Sequence, residues 1–270
     1  MTNRVPILPR SRSFSRSTLT TTGFVAISST VFVGIGLVWW AVTAAALVKP
    51  LFLPSPGAVL ARLTELAASG QLAADMGISI YRILAGFLIS TAVALPIGVL
   101  IGRYQIWEAA IEPLVDFIRY MPVVAFLPLT IVWTGVSDGQ KLLIVFIGTF
   151  FQQVLLIMDN VKSVPRDFIN LGRTLEMPEH RILTRIVVPS ALPAIWDSMR
   201  ISLGWAWTWL VVAELVAATS GLGYRITTAQ RFFATDTIFG YLIVLGLLGL
   251  ATDQLMKFLG KRFFAYGQAP

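Results

Sequence analysis

Glu214 stands alone as a charge in the run from Ile201 to Thr219. An ionisable group inside a stretch apolar enough to cross a bilayer is costly. It is kept where it binds a cation or a proton, or where it pairs with a basic residue on another helix. Arg200 lies about four helical turns earlier, too far along the same helix to serve. Arg119 is the better candidate, and it stands three residues after Asp116, a spacing that brings two side chains together on a helix. Arg119 is therefore either half of a local ion pair or a cation able to attract an anion. Asp253 is a third acidic group near the end of an apolar run. Nucleophiles and metal ligands are scarce: cysteine is absent and His180 is the single histidine. There is no His-Glu-x-x-His and no paired-carboxylate motif, so an intramembrane hydrolase would lack its constellation, and no metal site is expected. No Gly-x-x-x-x-Gly-Lys-Ser/Thr occurs, so the chain has no P-loop for ATP. The residues point to a non-enzymatic chain without a cofactor of its own.

The elements that hold these residues are apolar helices. Of 270 residues, 56% are hydrophobic and 13% charged, against about 25% charged in a soluble domain. Lipid must therefore solvate much of the surface. A helical span needs about 20 predominantly apolar residues. Six stretches meet or approach that length: Phe24 to Leu47, Ile83 to Gly102, Ile111 to Val136, Leu142 to Met158, Ile201 to Thr219 and Thr237 to Leu255. The third carries Pro113, Pro122 and Pro128. Each proline removes a backbone donor, and such breaks are tolerated where protein or a water-filled path satisfies the backbone. Span three is thus expected to face the pathway or other helices, with Arg119 and Pro122 beside it and Glu214 near the same route. Gly98 and Gly102 form a Gly-x-x-x-Gly pair that permits close helix packing, expected within the chain rather than between copies. Trp205, Trp207 and Trp209 read as interface anchors or core.

Charge gives an orientation. Arg4, Arg10, Arg12 and Arg16 precede an uncharged run from Ser17 to Val48, too long for a signal peptide's apolar core and suited to a retained first span. With both termini inside, thirteen cations fall on inner segments. Six fall outside: Lys49, Arg62, Arg82, Lys141, Arg225 and Arg231. That bias places both termini in the cytoplasm. The net charge of +7 is read as this bias rather than as a nucleic-acid footprint, since no basic face with interleaved aromatics lies outside the spans. The chain divides into a basic N-terminal segment (1–23), a transmembrane domain (24–262) with one long inner loop (160–190), and a short tail (263–270). Outside, Pro54-Ser55-Pro56 opens a segment with a short helix from Ala58 to Leu66 and a break at Gly70. A second helix from Leu72 to Leu84 runs into span two.

The inner loop holds two proline-opened helices. Pro165 and Pro178 suit the first turns. Phe168, Leu171 and Leu175 share one face of the first helix, and Ile182 and Ile186 share one face of the second. Apolar faces outside the bilayer must bury against the bundle's inner end or against another protein.

This loop resembles the cytoplasmic signature loop of permeases in ATP-binding-cassette importers, which opens with Glu-Ala-Ala, has a glycine four residues after the second alanine, and ends in Leu-Pro. Arg173-Thr174-Leu175 matches; Asn170-Leu171-Gly172 takes the Glu-Ala-Ala positions and Val188-Pro189 the Leu-Pro position. Asn170 replaces the glutamate and Glu176 the glycine, which shifts the expected turn to Met177-Pro178. From Leu53 onward the chain is similar to the nitrate, taurine, aliphatic-sulfonate and bicarbonate group. The matching fragments are Leu53-Pro54-Ser55-Pro56, Tyr81-Arg82-Ile83-Leu84-Ala85-Gly86-Phe87, Arg119-Tyr120-Met121-Pro122 with Leu127-Pro128, and Ala213-Glu214 with Gly221-Leu222-Gly223-Tyr224. The resemblance implies an all-α, six-span, type I importer permease in a bacterial inner membrane, importing a small solute of the anion class. It implies a second permease copy, two cytoplasmic subunits that hold ATP and Mg, and an extracytoplasmic solute-binding protein. It also implies coupling through Phe168, Asn170, Leu171, Gly172, Leu175, Glu176, Met177, Pro178 and His180. The competing reading is an ion-coupled secondary transporter, favoured by Glu214 and Asp253 and opposed by the small size and the lack of an evident inverted repeat.

Overall fold

The computed structural model describes residues 20–264, so the basic segment lies largely, and the tail mostly, outside the described residues. All regular structure among those residues is helical. Helix α1 (Thr21–Ala44) starts where the Thr20 side chain accepts from the Gly23 amide at 3.2 Å. It is apolar on every side and lies exposed along nearly its whole length, as a helix solvated by lipid must be. Trp39 ties it to the rest, donating to the Pro54 carbonyl at 2.9 Å and stacking on Phe239. Helix α2 (Pro56–Ala68) is capped by Ser55, with proline at its first turn.

Gly70, at φ +74°, turns the chain into α3 (Gln71–Arg103). The expected helix from Leu72 and span two are one helix of 33 residues, about 50 Å long against a hydrocarbon core of about 30 Å. Its glycines let α6 (Asp138–Lys162) approach closely. A Cβ on Gly98 would sit 2.7 Å from the Ile157 Cβ, and one on Gly102 would sit 2.8 Å from the Met158 carbonyl oxygen. The Gly-x-x-x-Gly pair therefore packs within the chain, as expected.

Span three departs from a single kinked helix. It is α4 (Gln105–Arg119), a 3₁₀ turn (Val123–Phe126) and α5 (Leu127–Thr134), with the two halves bent by 89°. Pro113 is accommodated inside α4. The break falls at Met121-Pro122, because the residue before a proline is driven out of the helical region. Pro128 sits in the first turn of α5, where its missing donor costs nothing.

The inner loop contains α7 (Arg166–Thr174) and the short α8 (Glu179–Ile182). The second loop helix is not separate: α8 continues through a π-turn (Leu183–Val187) into α9 (Val188–Ala217), so span five begins well before Ile201. A bend of 47° separates it from α10 (Leu222–Arg231), and α11 (Thr235–Phe263) ends the described chain. Among the described residues four helices are each long and apolar enough to cross a membrane, or up to six spans if each bent pair counts as one. The core lies where α3, α6 and α9 meet, around Ile83, Ile101, Val154, Ile157, Ala206 and Leu210, all fully buried.

Candidate functional site

The inner loop sorts its apolar residues in two directions. Ile182 is fully buried, and Ile186 and Ile182 close over Gly172, where a Cβ would meet the Ile186 Cδ1 at 2.8 Å. Ile169 and Met177 pack against the main core. The opposite face of α7 is bare: Phe168 is 49% exposed, Leu171 58% and Leu175 66%. Asn170, Glu176, Pro178 and His180 are also exposed around it. The loop's geometry is fixed from below, while its apolar outer face has no partner among the described residues.

The turn ending α7 corrects one expectation. Glu176 itself takes the left-handed conformation, at φ +52°, where the resembling family has glycine. The Met177 amide donates to the Gly172 carbonyl at 3.0 Å and the Glu176 amide to the Arg173 carbonyl at 2.9 Å. This is the paired pattern that satisfies the last carbonyls of a helix. The turn is therefore made at Glu176, one residue before Met177-Pro178, and Pro178 precedes α8 as its cap. Glu179 then receives two arginines, Arg103 from the end of α3 and Arg173 from α7 at 3.1 Å, which staples the turn to the bundle.

Arg119 lies at the broken span. Its Nε is 2.8 Å from Asp116 Oδ1, its Nη2 donates to the Tyr120 hydroxyl at 3.2 Å, and its guanidinium lies over the Tyr120 ring. The local pair is thus formed. Arg119 also lines a cleft of about 280 Å³ between the broken span, the middle of α6 and the middle of α9, with Met121, Phe126, Phe151, Gln152, Trp205, Thr208 and Trp209. Pro122 forms the bend beside it.

Glu214 does not join that cleft. It is 1% exposed, and its carboxylate accepts from Ser79 at 2.9 Å, from Arg82 at 2.8 Å and from the Gly223 amide at 2.9 Å. Arg82, 3% exposed, also pairs with Asp138 at 2.6 Å and donates to the Ser220 carbonyl at 2.7 Å. Three successive amides that open α10 find side-chain acceptors: Gly221 on Asp75, Leu222 on Ser79, Gly223 on Glu214. These are donors that the start of a helix leaves unsatisfied. Gly221 is at φ +108°, and a Cβ there would stand 2.3 Å from Glu214 Oε1. Asp75 further receives Arg225 at 2.8 Å and the Tyr241 hydroxyl at 2.9 Å. This network locks α3, α6, α9, α10 and α11 together at one end of the bundle. The expected partner of Glu214, Arg119, is replaced by Arg82, which the sequence placed in an outer segment. Lys141, also counted there, is buried against the Ala217 carbonyl. Asp253, the third acidic candidate, pairs with Arg200 at 2.9 Å and Lys257 at 2.7 Å. Trp207 is buried and donates to Thr252 at 3.1 Å, so the three tryptophans divide between core and cleft.

Among the described residues no group of three or more His, Cys, Asp or Glu is placed to hold a metal ion.

Comparison with known proteins addresses the whole arrangement. Residues 94–265 match the family described as "Binding-protein-dependent transport system inner membrane component". A probable ABC transporter permease protein of Brucella melitensis is 41% identical over 230 residues, covering 85% of this chain and 92% of the relative. A putative aliphatic sulfonates transport permease protein of Bacillus subtilis is 32% identical over 229 residues, covering 85% and 83%. Among solved structures, a chain of the inward-facing MetNI methionine ABC transporter superposes with a TM-score of 0.60 at 18% identity, covering 71% of this chain and 94% of that one, a likeness of fold. The type I importer permease fold and the extent of the sequence match lead to one conclusion: this chain belongs to the binding-protein-dependent inner-membrane family and is the multi-pass permease component of an ABC importer.

Proposed function

We propose that the permease imports a small anion as a homodimer, with two ATPase subunits docked on the exposed face of α7 and both termini in the cytoplasm. The observation that carries this reading is the bare stripe of Phe168, Leu171 and Leu175 on a helix whose other face is buried in the bundle. A surface of that kind, rigidly held and apolar, suits a protein interface. ATP and Mg belong on the partner subunits, and a binding protein presents the solute on the opposite side, as the family description supports. The anion assignment is supported by Arg119 in a mid-span cleft and by the aliphatic-sulfonate name of the Bacillus relative. Glu214, closed off by Arg82 and Ser79, serves this route by bracing the helices around it.

The orientation is supported by charge. With Arg82 and Lys141 buried in the bundle, only Lys49, Arg62, Arg225 and Arg231 remain among the outer cations, so the inner excess widens. Reconstitution tests the function. Vesicles holding the permease, its ATPases and the binding protein are expected to take up a labelled anion from a panel of ethanesulfonate, nitrate and bicarbonate only when ATP is supplied on the ATPase side. Uptake by the purified permease alone, driven by an ion gradient, would establish the secondary-transporter reading instead.

A further inference from the structure

We propose that the cleft at Arg119 is a solute subsite built for an organic anion, a carboxylate or sulfonate carried on a small apolar body, and not for an inorganic oxyanion. The inference rests on the anion-import reading and adds the chemistry of the solute.

The polar half of the cleft is unfinished. Arg119 uses Nε on Asp116 and Nη2 on Tyr120, while Nη1 has no partner among the described residues. Gln152 and Thr208 also line the cleft, and neither side chain has a hydrogen-bond partner among the described residues. The neighbouring Gln153 behaves otherwise: it accepts from Ser90 at 2.8 Å and donates to Thr91 at 3.2 Å, and it is fully buried. Both glutamines lie mid-way along α6. There, unsatisfied polar groups are tolerated only where they line a cavity or meet a ligand. A guanidinium, a carboxamide and a hydroxyl together supply donors for the oxygens of one anionic head group. Asp116 tempers the positive charge, but it does not line the cleft.

The other half is aromatic. Trp205, Trp209 and Phe151 line the same cleft as those donors. Trp209 lies directly over Gly148, where a Cβ would stand 2.4 Å from its Cδ1. Glycine at that position lets the indole lie back and leaves the space open. An inorganic oxyanion would surrender its hydration to these walls and gain nothing from them, whereas a hydrocarbon or ring body would bury against them. The volume of about 280 Å³ lies just below the roughly 300–1,000 Å³ of pockets for drug-sized ligands and suits a small solute.

The test uses the full-length permease in lipid nanodiscs, with its tryptophan emission as reporter and benzenesulfonate, ethanesulfonate and nitrate as probes. Benzenesulfonate is expected to change the emission saturably, with ethanesulfonate weaker and nitrate giving no saturable change. Arg119→Ala is expected to weaken the benzenesulfonate response at least about tenfold, the scale of a lost charge-assisted hydrogen bond. Thr208→Val should weaken it less, and Gly148→Ala, by pushing Trp209 into the cleft, should abolish it. Should Arg119→Ala fail to insert, Thr208→Val and Gln152→Leu carry the same test. A nitrate response equal to that of benzenesulfonate, or variants that respond as wild type, would overturn the subsite. Quantitative disulfide cross-linking of two copies through Thr208→Cys would overturn it as well, because a second permease would then fill the cleft. ATP-driven uptake by the assembled importer separates the two levels. If the importer carries no anion, the import reading fails. If it carries one while the cleft variants behave as wild type, import stands and the subsite falls.

Discussion

Removing the guanidinium of Arg82 would leave the carboxylates of Glu214 and Asp138 without their shared counter-charge at the end of the bundle. Breaking one side of a buried ion pair costs about 3–5 kcal/mol. Arg82→Ala is therefore expected to lower the unfolding midpoint of the detergent-purified permease severely, and Arg82→Lys to lower it less. A midpoint unchanged in Arg82→Ala would show that the network contributes nothing to stability. Half of this site was legible from residue types alone. Glu214 is visible as a charge in an apolar run, and Asp75, Ser79 and Arg82 fall four and three residues apart, a polar stripe on one helix face that could have been read. Their meeting was not legible, because Arg82 and Glu214 are 132 residues apart and Arg82, preceding an apolar run, looks like a span's flank. The turn at Glu176 was hidden for a related reason. Left-handed backbone is usually announced by glycine, and a glutamate gives no such signal.

Helix existence was legible wherever an apolar run was long, since hydropathy counts residues and a bilayer sets the count. Helix continuity was legible only in part: the helix expected from Leu72 does run into span two as one rod, whereas span five begins well before Ile201, with α9 at Val188. Prolines also mislead: Pro193 lies inside α9, whereas Met121-Pro122 turns the chain by 89°. The packing of α3 on α6 was foreshadowed by Gly98 and Gly102, small residues four apart. A side chain at Gly98 has no space, with the Ile157 Cβ, Ile157 Cγ2 and Val154 carbonyl oxygen all within 2.8 Å of an added Cβ. Overpacking of this kind costs about 1–3 kcal/mol. Gly98→Val is expected to reduce folded yield and lower the unfolding midpoint, whereas Gly204→Ala, with open space around it, should not. Equal behaviour of the two variants in a thermal melt would contradict the close helix contact.

At the scale of the molecule, the inner loop and the network around Glu214 lie at opposite ends of α9, so the sidedness of the membrane decides which meets the ATPases. Cysteine introduced at Ser69 is expected to react with an impermeant thiol reagent in intact cells, and cysteine at Ser163 only after the membrane is opened; the reverse pattern would invert the topology. The resemblance of the loop to that of importer permeases rests on Arg173-Thr174-Leu175 and the proline-opened helices. What the sequence could not reveal was which apolar residues face inward, since α7 alone does not say which of its sides Gly172 turns toward Ile182. On the proposed reading, ATP hydrolysis on a partner enters the permease through the bare stripe of Phe168, Leu171 and Leu175. Truncating a buried anchor at an interface costs about 2 kcal/mol or more, roughly a 30-fold loss of affinity, and a charge placed there adds a desolvation penalty. The most direct measurement is co-purification of the ATPase subunits with a Leu175→Asp permease, read together with ATP hydrolysis stimulated by the loaded binding protein. The account predicts an inserted, dimeric permease that loses its ATPases and their stimulation; ATPases retained at wild-type stoichiometry with hydrolysis still coupled would contradict it.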